Sequence, residues 1–265
     1  MKRLIFQVAV GQQSALYEHC IDSVKAYCKA HKIDHLVLRK PVLRICPDIF
    51  ATNRSNESYA KHGGFLPIYE KERAFDYFDR YDQIAIIDAD IYIRPDSPSI
   101  FDQLKEGYSF GACVEREMPI TNDYAKKIHN YSHMQYERLK DVEWDWNGWG
   151  AKFYNMGMIV MDKSIVPYFK GQDSRQFLNR VEFKRFIDGD GHWKWSTDQT
   201  LLNWWVKKSG MKVQDIDWKY NALYKGVKDE KISEAHFIHF FLKDKLPNKG
   251  EDVKTLMKEI NNESI

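Results

Sequence analysis

"DQIAIIDADIYIRPD", residues 82–96, is the stretch that decides the fold of this chain. Four strand-forming apolar residues, Ile84 to Ile87, lead into two acids separated by one small residue, Asp88-Ala89-Asp90. Residues i and i+2 of an extended chain project to the same side, so we expect both carboxylates to face one spot. Two like charges held this close need a cation, and hard divalent metals such as Mg²⁺ or Mn²⁺ prefer oxygen ligands. The stretch therefore predicts a buried strand that ends at a metal site.

Strands and helices are expected to alternate in the first half of the chain. The pattern predicts a strand at 3–10, a helix at 13–31, a strand at 35–38, a loop at 41–65 and a helix that begins at Pro67. This alternation implies a largely parallel sheet with helices on both faces, because parallel neighbours need crossover connections. Ligands of such sheets bind outside the carboxyl ends of the strands, which is where the two acids lie.

The second half of the sequence is less regular. Its expected elements are an aromatic loop (142–154), a strand (154–162), a polar helix, a Trp-rich loop (191–198), a helix (198–208) and a final strand (235–241). No internal repeat or linker marks a domain boundary, so residues 1–248 are expected to form one domain. The Lys/Glu/Asn-rich residues 249–265 are expected to form a surface helix or a flexible tail.

Composition excludes several classes of protein. A chain of 265 residues with 43% hydrophobic residues can bury one large core. Its formal charge of +2 argues against a general attraction to nucleic acid, so no nucleic-acid partner is expected. The four cysteines show neither CxxC nor zinc-ligand spacing, which favours a reduced, cytoplasmic protein. No stretch approaches the roughly 18 apolar residues of a spanning helix, and "MKRLIFQVAVG" is interpreted as the first strand rather than as a signal peptide.

Four segments together resemble one enzyme family. "FDRYDQIAIIDADIYI" is similar to the metal-binding segment of GT-A-fold glycosyltransferases, especially those of glycosyltransferase family 8. "YNMGMIVMD" resembles that family's strand containing Asn-x-Gly, "STDQTLLN" its Asp-Gln helix start, and "FIHFFLKDK" its closing strand. The segments occur in the family's order and span roughly residues 3–247. The Gly and the Trp that commonly follow the third metal ligand are absent from "FFLKDKLP", which leaves the details of the phosphate contacts open.

The resemblance implies a Rossmann-like, three-layer α/β/α fold with a mixed, mostly parallel central sheet. It also implies an enzyme that transfers a sugar from a nucleotide-sugar donor to a hydroxyl of a glycan or other acceptor. UDP-sugars are the usual donors in this family. Mn²⁺ or Mg²⁺ would be the cofactor, and the anomeric configuration would be retained. An inverting enzyme needs a carboxylate base near the acceptor hydroxyl. Asp198 or Asp145 could serve, so the stereochemistry stays open.

The resemblance also assigns residues to the donor and the metal. Asp88, Asp90 and His239 would bind the metal, with Asp88 also contacting the donor ribose. Lys71 and Lys245 would contact the donor phosphates, although Lys71 could equally be an exposed ion-pair partner and His239 a core histidine. The remaining candidates for the donor site, most of them in the turn after the first strand, are Val10, Gly11, Tyr17 and Ala89.

Three polar residues are implied in sugar chemistry, and a set of aromatic residues suits an acceptor. Asn155 would face the donor sugar beside Gly157, whose missing side chain allows close approach. Asp198 and Gln199 would orient the sugars from a helix N-terminus, where Thr197 or Asp198 could also simply cap. Flat indole faces beside polar groups suit a sugar ring. The acceptor candidates, each of which could instead be a core residue, are Trp144, Asp145, Trp146, Trp149, Trp193 and Trp195.

Two other classes of protein share part of this pattern. Phosphoryl-transfer enzymes of the haloacid dehalogenase type also place Asp-x-Asp after an apolar strand, but normally on the first strand and followed by Gly-Thr. A sugar-nucleotide-binding protein of the same fold without turnover is the second alternative. Intact candidate metal ligands at Asp88, Asp90 and His239 argue against it.

Overall fold

The structure is a computed structural model that describes residues 1–11, 13–50 and 53–261. The strands in these ranges are β1 (Arg3–Val8), β2 (Asp34–Leu38), β3 (Gln83–Ile87), β4 (Ile91–Ile93), β5 (Phe110–Val114), β6 (Trp146–Asn147), β7 (Gly150–Ala151), β8 (Tyr154–Asp162), β9 (Val213–Asp215), β10 (Ala222–Leu223) and β11 (Phe237–His239). The α-helices are α1 (Ala15–His31), α2 (Asn53–His62), α3 (Asn122–Tyr136), α4 (Ser174–Leu178), α5 (Lys184–Asp188), α6 (Asp198–Lys208) and α7 (Val253–Asn261). A long 3₁₀ helix spans Pro67–Asp79.

A six-stranded sheet forms the centre of the molecule, in the order β2-β1-β3-β8-β5-β9. β2, β1 and β3 are parallel neighbours, and β9 is parallel to β5. β8 alone runs antiparallel to both of its neighbours, β3 and β5. The predicted mixed, mostly parallel sheet is therefore confirmed.

The apolar run before the two acids is buried on both sides. β3 lies between β1 and β8, and Ile84 to Ile87 are at most 1% exposed. α1 packs against β2 and β4, the 3₁₀ helix against β1 and β3, and α6 against β8, which gives the predicted three layers. A strand covered in this way needs a continuous apolar sequence rather than an alternating one.

A small second sheet, β10-β11-β4, joins distant parts of the chain. β4 pairs antiparallel with β11, and this register places His239 opposite Ile91. The N–H of Phe240 then donates to the carbonyl of Asp90 at 2.9 Å. The end of β3 and the end of β11 are thus held side by side.

Several sequence-based boundaries differ from the structure. The prediction of a loop at residues 41–65 is wrong for Asn53–His62, which form α2. This helix consists almost entirely of polar residues, so its sequence shows no apolar periodicity that would predict it. The helix that begins at Pro67 has 3₁₀ geometry. β5 and α3 are not among the elements predicted from the sequence, and the expected aromatic loop contains the hairpin of β6 and β7.

The chain end contains an ordered helix. Leu256 and Ile260 of α7 are buried, and the helix packs against α1 and the segment Asp229–Glu234. The boundary at residue 248 stays a prediction, and residues 262–265 lie outside the described ranges. Within the described part of the chain, no helix combines the length and apolar character needed to span a bilayer.

Candidate active site

The two acids lie on a tight turn rather than on the extended chain predicted from the sequence. β3 ends at Ile87, and the N–H of Ile91 donates to the carbonyl of Asp88 at 3.1 Å. The N–H of Asp88 donates to the carbonyl of Gly157 at 2.8 Å, which fixes the turn to β8. The expectation was wrong because the chain leaves the main sheet here and enters the sheet of β4 within three residues. The turn nevertheless brings both carboxylates to one place.

His239 lies next to the two acids. Its Nε2 atom is 3.4 Å from Oδ1 of Asp90 and 3.9 Å from Oδ2 of Asp88. One ligand atom from each of the three residues lies within 4.8 Å of the others. His236, the other histidine near β11, packs against Tyr220 instead. The three residues predicted to bind a metal therefore form one cluster.

The charges in this cluster depend on one another. Burial raises the pKa of Asp88 to about 6, with Lys71 opposing and Asp90 adding to the effect. Burial also disfavours the ionised form of Asp90, but His239 outweighs it and the pKa of Asp90 is lowered. Burial would lower the pKa of His239, yet Asp90 and Asp88 together raise it. The imidazole thus acts as the electrostatic partner of two crowded carboxylates.

Lys71 is a buried member of the same site rather than an exposed surface residue. Its Nζ atom lies 2.6 Å from Oδ2 of Asp198, 2.9 Å from Oδ1 of Asp88 and 3.1 Å from the carbonyl of Met156. Burial would lower the pKa of Lys71, but Asp198 and Asp88 raise it. A fixed positive charge therefore connects the turn of the two acids to the start of α6.

Asn155 and Gly157 lie on β8, next to His239 of β11. The Oδ1 atom of Asn155 accepts from the N–H of Gly157 at 3.0 Å, and its Nδ2 donates to Glu115 at 3.0 Å. A Cβ atom on residue 157 would lie 2.3 Å from Cε1 of His239. The missing side chain of Gly157 makes room for the imidazole ring, which the pairing of β11 with β4 brings to β8.

The start of α6 supplies the two other predicted catalytic residues. Thr197 is the N-cap, since its hydroxyl accepts from the N–H of Gln199 at 3.2 Å. Asp198 therefore does not cap and instead pairs with Lys71. Gln199 accepts from the N–H of Met156 at 3.3 Å, so its side chain lies against β8.

A cavity of about 400 Å³ opens beside the acids. The residues that line it are Val8, Ala9, Val10, Tyr17, Ser58, His62, Leu66, Pro67, Ile68, Lys71, Asp88, Ala89, Asp90 and Thr197. All the predicted donor residues except Gly11 and Lys245 are in this lining. Ser58 and His62, from α2, were missed because a polar stretch with no motif gave no signal for them.

The basic segment after β11 approaches the cavity through Lys243. The Nζ atom of Lys243 lies 3.9 Å from the centre of the Tyr17 ring, and the charge of Lys243 helps to lower the pKa of Asp90. Lys245, the residue that matches the family motif, is exposed at the end of the 3₁₀ turn Lys243–Lys245. Of the two lysines, the structure therefore places Lys243 beside the predicted metal ligands.

The predicted acceptor aromatics divide into exposed and packed rings. Trp146, Trp149 and Trp195 are 38%, 47% and 62% exposed. Trp144 is buried with its ring against Tyr136, and Trp193 donates from Nε1 to the carbonyl of Gln135. The first three rings are exposed, with His133 packed against Trp146 and the ammonium group of Lys194 over Trp195.

Asp145 is held by Arg116, a buried residue that the sequence reading did not identify. The guanidinium of Arg116 donates to the carbonyls of Asp145 and Gly150 at 2.7 and 2.6 Å, and to the Asp145 carboxylate at 2.9 Å. The β6–β7 hairpin, which carries Trp146 and Trp149, is thus fixed to the end of β5.

Comparison with known proteins agrees with this geometry. The family described as "Glycosyl transferase family 8" matches residues 14–245. The structure of the galactosyltransferase LgtC in complex with donor and acceptor sugar analogs is similar over 99% of this chain and 96% of that chain, with a TM-score of 0.54 and 14% identity. A glycosyltransferase involved in the glycosylation of the major capsid of PBCV-1 covers 97% of this chain and 100% of its own, with a TM-score of 0.47 and 12% identity. Mouse xyloside xylosyltransferase 1 covers 92% and 99%, with a TM-score of 0.47 and 11% identity. No curated protein matches the sequence significantly.

The mostly parallel sheet, with two acids at the carboxyl end of a central strand, has the GT-A fold, which it shares with LgtC. The family match extends over most of the chain. This protein belongs to glycosyltransferase family 8.

Proposed function

We propose that the protein transfers a sugar from a UDP-sugar to a hydroxyl of a glycan or other acceptor, with Mn²⁺ or Mg²⁺ as cofactor and with retention of configuration. The observation that carries the proposal is the cluster of Asp88, Asp90 and His239 at the edge of the 400 Å³ cavity. Glycan synthesis in the cytoplasm is the proposed setting.

The donor set of the cluster fits a divalent cation. Two carboxylates and one imidazole nitrogen are ligands that Mn²⁺ accepts, and Mg²⁺ also favours the carboxylates. Asp88 and Asp90 would bind through oxygen and His239 through nitrogen. When bound, the cation would stabilise negative charge on the donor diphosphate.

The residues of the chain supply the rest of the donor site. Val10 and Tyr17 line the cavity, and together with Gly11 they would contact the nucleotide base. Asp88 would also contact the ribose. Lys243 would contact the phosphates, with a smaller contribution from Lys245. Lys71, whose ammonium group is already paired with Asp88, Asp198 and the carbonyl of Met156, would add its positive charge to neutralise the charge that develops as the glycosidic bond breaks. Asn155, Asp198 and Gln199 would orient the sugar from the opposite side of the acids.

The contacts of Asp198 and Asp145, the two carboxylates that could act as the base in an inverting mechanism, support retention. Asp198 is paired with the buried Lys71 at 2.6 Å, and Asp145 with Arg116 at 2.9 Å. Each of these pairs engages a carboxylate oxygen that a general base would need for the proton of the acceptor hydroxyl.

The acceptor is proposed to bind against the exposed rings of Trp146, Trp149 and Trp195. Trp195 is two residues before Thr197, which lines the donor cavity. Trp144, Asp145 and Trp193 would support this surface from below.

The first test is a thermal-shift screen against UDP, GDP, CDP and dTDP, each with and without Mn²⁺. A ligand present at 100 times its dissociation constant stabilises the native state by about 2.7 kcal/mol, which raises the unfolding midpoint. We expect UDP to stabilise the protein only together with Mn²⁺. Stabilisation by another nucleotide would change the donor, and no stabilisation by any of them would overturn the proposed site.

The second test is hydrolysis of UDP-sugars by the wild type and by Asp90→Ala. The variant is expected to fold normally and to lose metal-dependent turnover. Unchanged turnover would overturn the metal assignment. Phosphatase activity without sugar transfer would favour the haloacid dehalogenase alternative, and UDP-sugar binding without any product would favour a binding protein.

A further inference from the structure

A continuous chain of hydrogen bonds runs from the backbone of β8 to the ring of His239. The N–H of Gly157 donates to Oδ1 of Asn155 at 3.0 Å. The same oxygen lies 2.8 Å from Nδ2 of Asn221, and Oδ1 of Asn221 lies 3.0 Å from Nδ1 of His239. All four residues are buried, with Asn221 at 0% exposure.

A backbone amide fixes the direction of every bond in this chain. A backbone N–H can only donate, so the atom of Asn155 that faces Gly157 must be its oxygen. The group of Asn221 that faces this oxygen must then be the NH₂ group, because two oxygens 2.8 Å apart would leave a buried acceptor pair without a proton. The oxygen of Asn221 is therefore the atom that faces His239.

The last bond sets the tautomer of the imidazole. An amide oxygen can only accept, so Nδ1 of His239 must carry a proton. In the neutral ring the other nitrogen, Nε2, then holds a lone pair, and this is the atom 3.4 Å from Asp90 and 3.9 Å from Asp88. The nitrogen that faces the two acids is the one left free to bind a cation.

The far end of the chain is anchored by a buried acid. Nδ2 of Asn155 donates to Oε2 of Glu115 at 3.0 Å, and the hydroxyl of Tyr124 donates to Oε1 of the same group. Glu115 is 5% exposed and Tyr124 8%. Asn155 therefore cannot flip its amide without losing its hydrogen bonds to the N–H of Gly157 and to Oε2 of Glu115.

We infer that Asn221 is a positioning residue, which holds His239 in the Nδ1–H tautomer with its Nε2 lone pair directed at Asp88 and Asp90. The inference deepens the proposed metal site and rests on it. Partners of this kind orient a metal-binding histidine and set its tautomer, and their loss typically reduces metal affinity about 10- to 100-fold. No sequence motif marks Asn221, which lies between a 3₁₀ turn and the two-residue strand β10.

The first experiment reads the tautomer directly, without metal or substrate. The full chain is labelled with ¹⁵N-histidine, and the His239 ring is assigned among the nine histidines by comparison with His239→Gln. Spectra are recorded at a pH at which titration of that resonance shows the ring to be neutral. A pyrrole-type Nδ1 and a pyridine-type Nε2 are expected. The opposite tautomer in the wild type would overturn the inference, whether or not the protein binds metal.

The second experiment measures the affinity for Mn²⁺ alone by electron paramagnetic resonance. Asn221→Ala removes the acceptor and is expected to lower the affinity about 10- to 100-fold and to populate the Nε2–H tautomer. Asn221→Asp keeps an acceptor oxygen toward Nδ1 of His239 but places its second oxygen against Oδ1 of Asn155, so it should lower the unfolding midpoint. It should still retain the Nδ1–H tautomer and bind Mn²⁺ more tightly than Asn221→Ala. This variant keeps the test valid if Asn221→Ala does not fold.

Asn203→Ala is the matched control. Asn203 is also a buried asparagine, and its side chain bonds to the backbone of Tyr154 and Gln199 rather than to His239. Its loss should lower the unfolding midpoint and leave Mn²⁺ affinity unchanged. An affinity for Asn221→Ala within about twofold of the wild type, or an equal loss in Asn203→Ala, would overturn the role of Asn221. Absence of Mn²⁺ binding by the wild type would instead overturn the proposed metal site and leave the tautomer result to stand alone.

Discussion

Gly157 on β8 and the ring of His239 on β11 are in direct contact: a Cβ atom on residue 157 would lie 2.3 Å from Cε1 and 2.6 Å from Nδ1 of the imidazole. Real Cβ atoms essentially never approach other atoms so closely. The glycine of the Asn-x-Gly segment therefore leaves the space that the ring of His239, a predicted metal ligand, occupies. The asparagine of the same segment begins the hydrogen-bond chain that orients that ligand.

Gly157→Ala should displace His239 and lower Mn²⁺ affinity at least about tenfold, because the added methyl group and the ring cannot occupy the same space. Mn²⁺ titration monitored by electron paramagnetic resonance provides the measurement. Gly148→Ala is the control, since a Cβ atom there would meet nothing within 4 Å. Equal Mn²⁺ affinity in Gly157→Ala and the wild type would contradict the prediction.

Lys243→Ala should raise the KM for the UDP-sugar by about tenfold or more, because a charge-assisted hydrogen bond to phosphate contributes about 1.5–3 kcal/mol. Lys245→Ala should change it by about twofold or less, since Lys245 is exposed and Lys243 is the lysine at Tyr17 and Asp90. The two variants are compared in steady-state donor hydrolysis. A larger effect of Lys245 would show that the segment after β11 rearranges when the donor binds.

Trp195→Ala should raise the KM for an acceptor about 3- to 10-fold and leave donor hydrolysis unchanged, because a stacked ring contributes binding energy on the acceptor side only. The acceptor probe is the best substrate from a panel of simple glycosides. Val181→Ala serves as the control, since Val181 is an exposed apolar residue outside the proposed acceptor surface. A parallel loss of donor hydrolysis would place Trp195 in the donor site instead.

Glu72→Gln should reduce the dependence of stability on pH. Glu72 is fully buried, and among the described residues its carboxyl oxygens have no hydrogen-bond partner. Burial and Asp198 raise the pKa of Glu72 well above its ordinary value of 4.5, although Lys71 opposes them. The folded protein then holds this proton more tightly than the unfolded chain, so stability falls as pH rises from 4.5 through the folded-state pKa.

Urea unfolding of the wild type and Glu72→Gln between about pH 5 and pH 9 measures this effect. The wild type should lose more stability with rising pH than the variant. Glu117→Gln, at an exposed position, controls for the removal of one carboxyl group. Parallel curves for the wild type and Glu72→Gln would contradict the prediction.

The parts of the fold that could be predicted are those in which local sequence and burial agree. Ile84 to Ile87 form a continuous apolar run because β3 is covered on both faces, and such a run is visible in the sequence alone. The helix Asp198–Lys208 begins at a residue pattern with a clear N-cap. α2 escaped prediction because its polar sequence has no helical periodicity.

The residues of the candidate site that belong to sequence motifs could be predicted. The residues that reach the site only through tertiary contacts could not. Asp88, Asp90 and His239 were found through their segments, and the structure brings them together. Glu115, Arg116 and Asn221 are buried polar residues without a motif, and their roles depend on strand pairings that join residues far apart in the chain. A single sequence contains no local signal for such contacts.

The pairing of β4 with β11 also has a consequence for the order of folding. It joins Ile91 to His239, so the third predicted ligand reaches the two acids only after nearly all of the matched family region has been synthesised. A nascent chain that has produced the acids but not Phe237–His239 has two crowded carboxylates and no imidazole to pair with them. High metal affinity would therefore appear late in synthesis and in one step. Binding of Mn²⁺ by a ribosome-bound chain would show that β11, the last strand of the small sheet, has paired with β4.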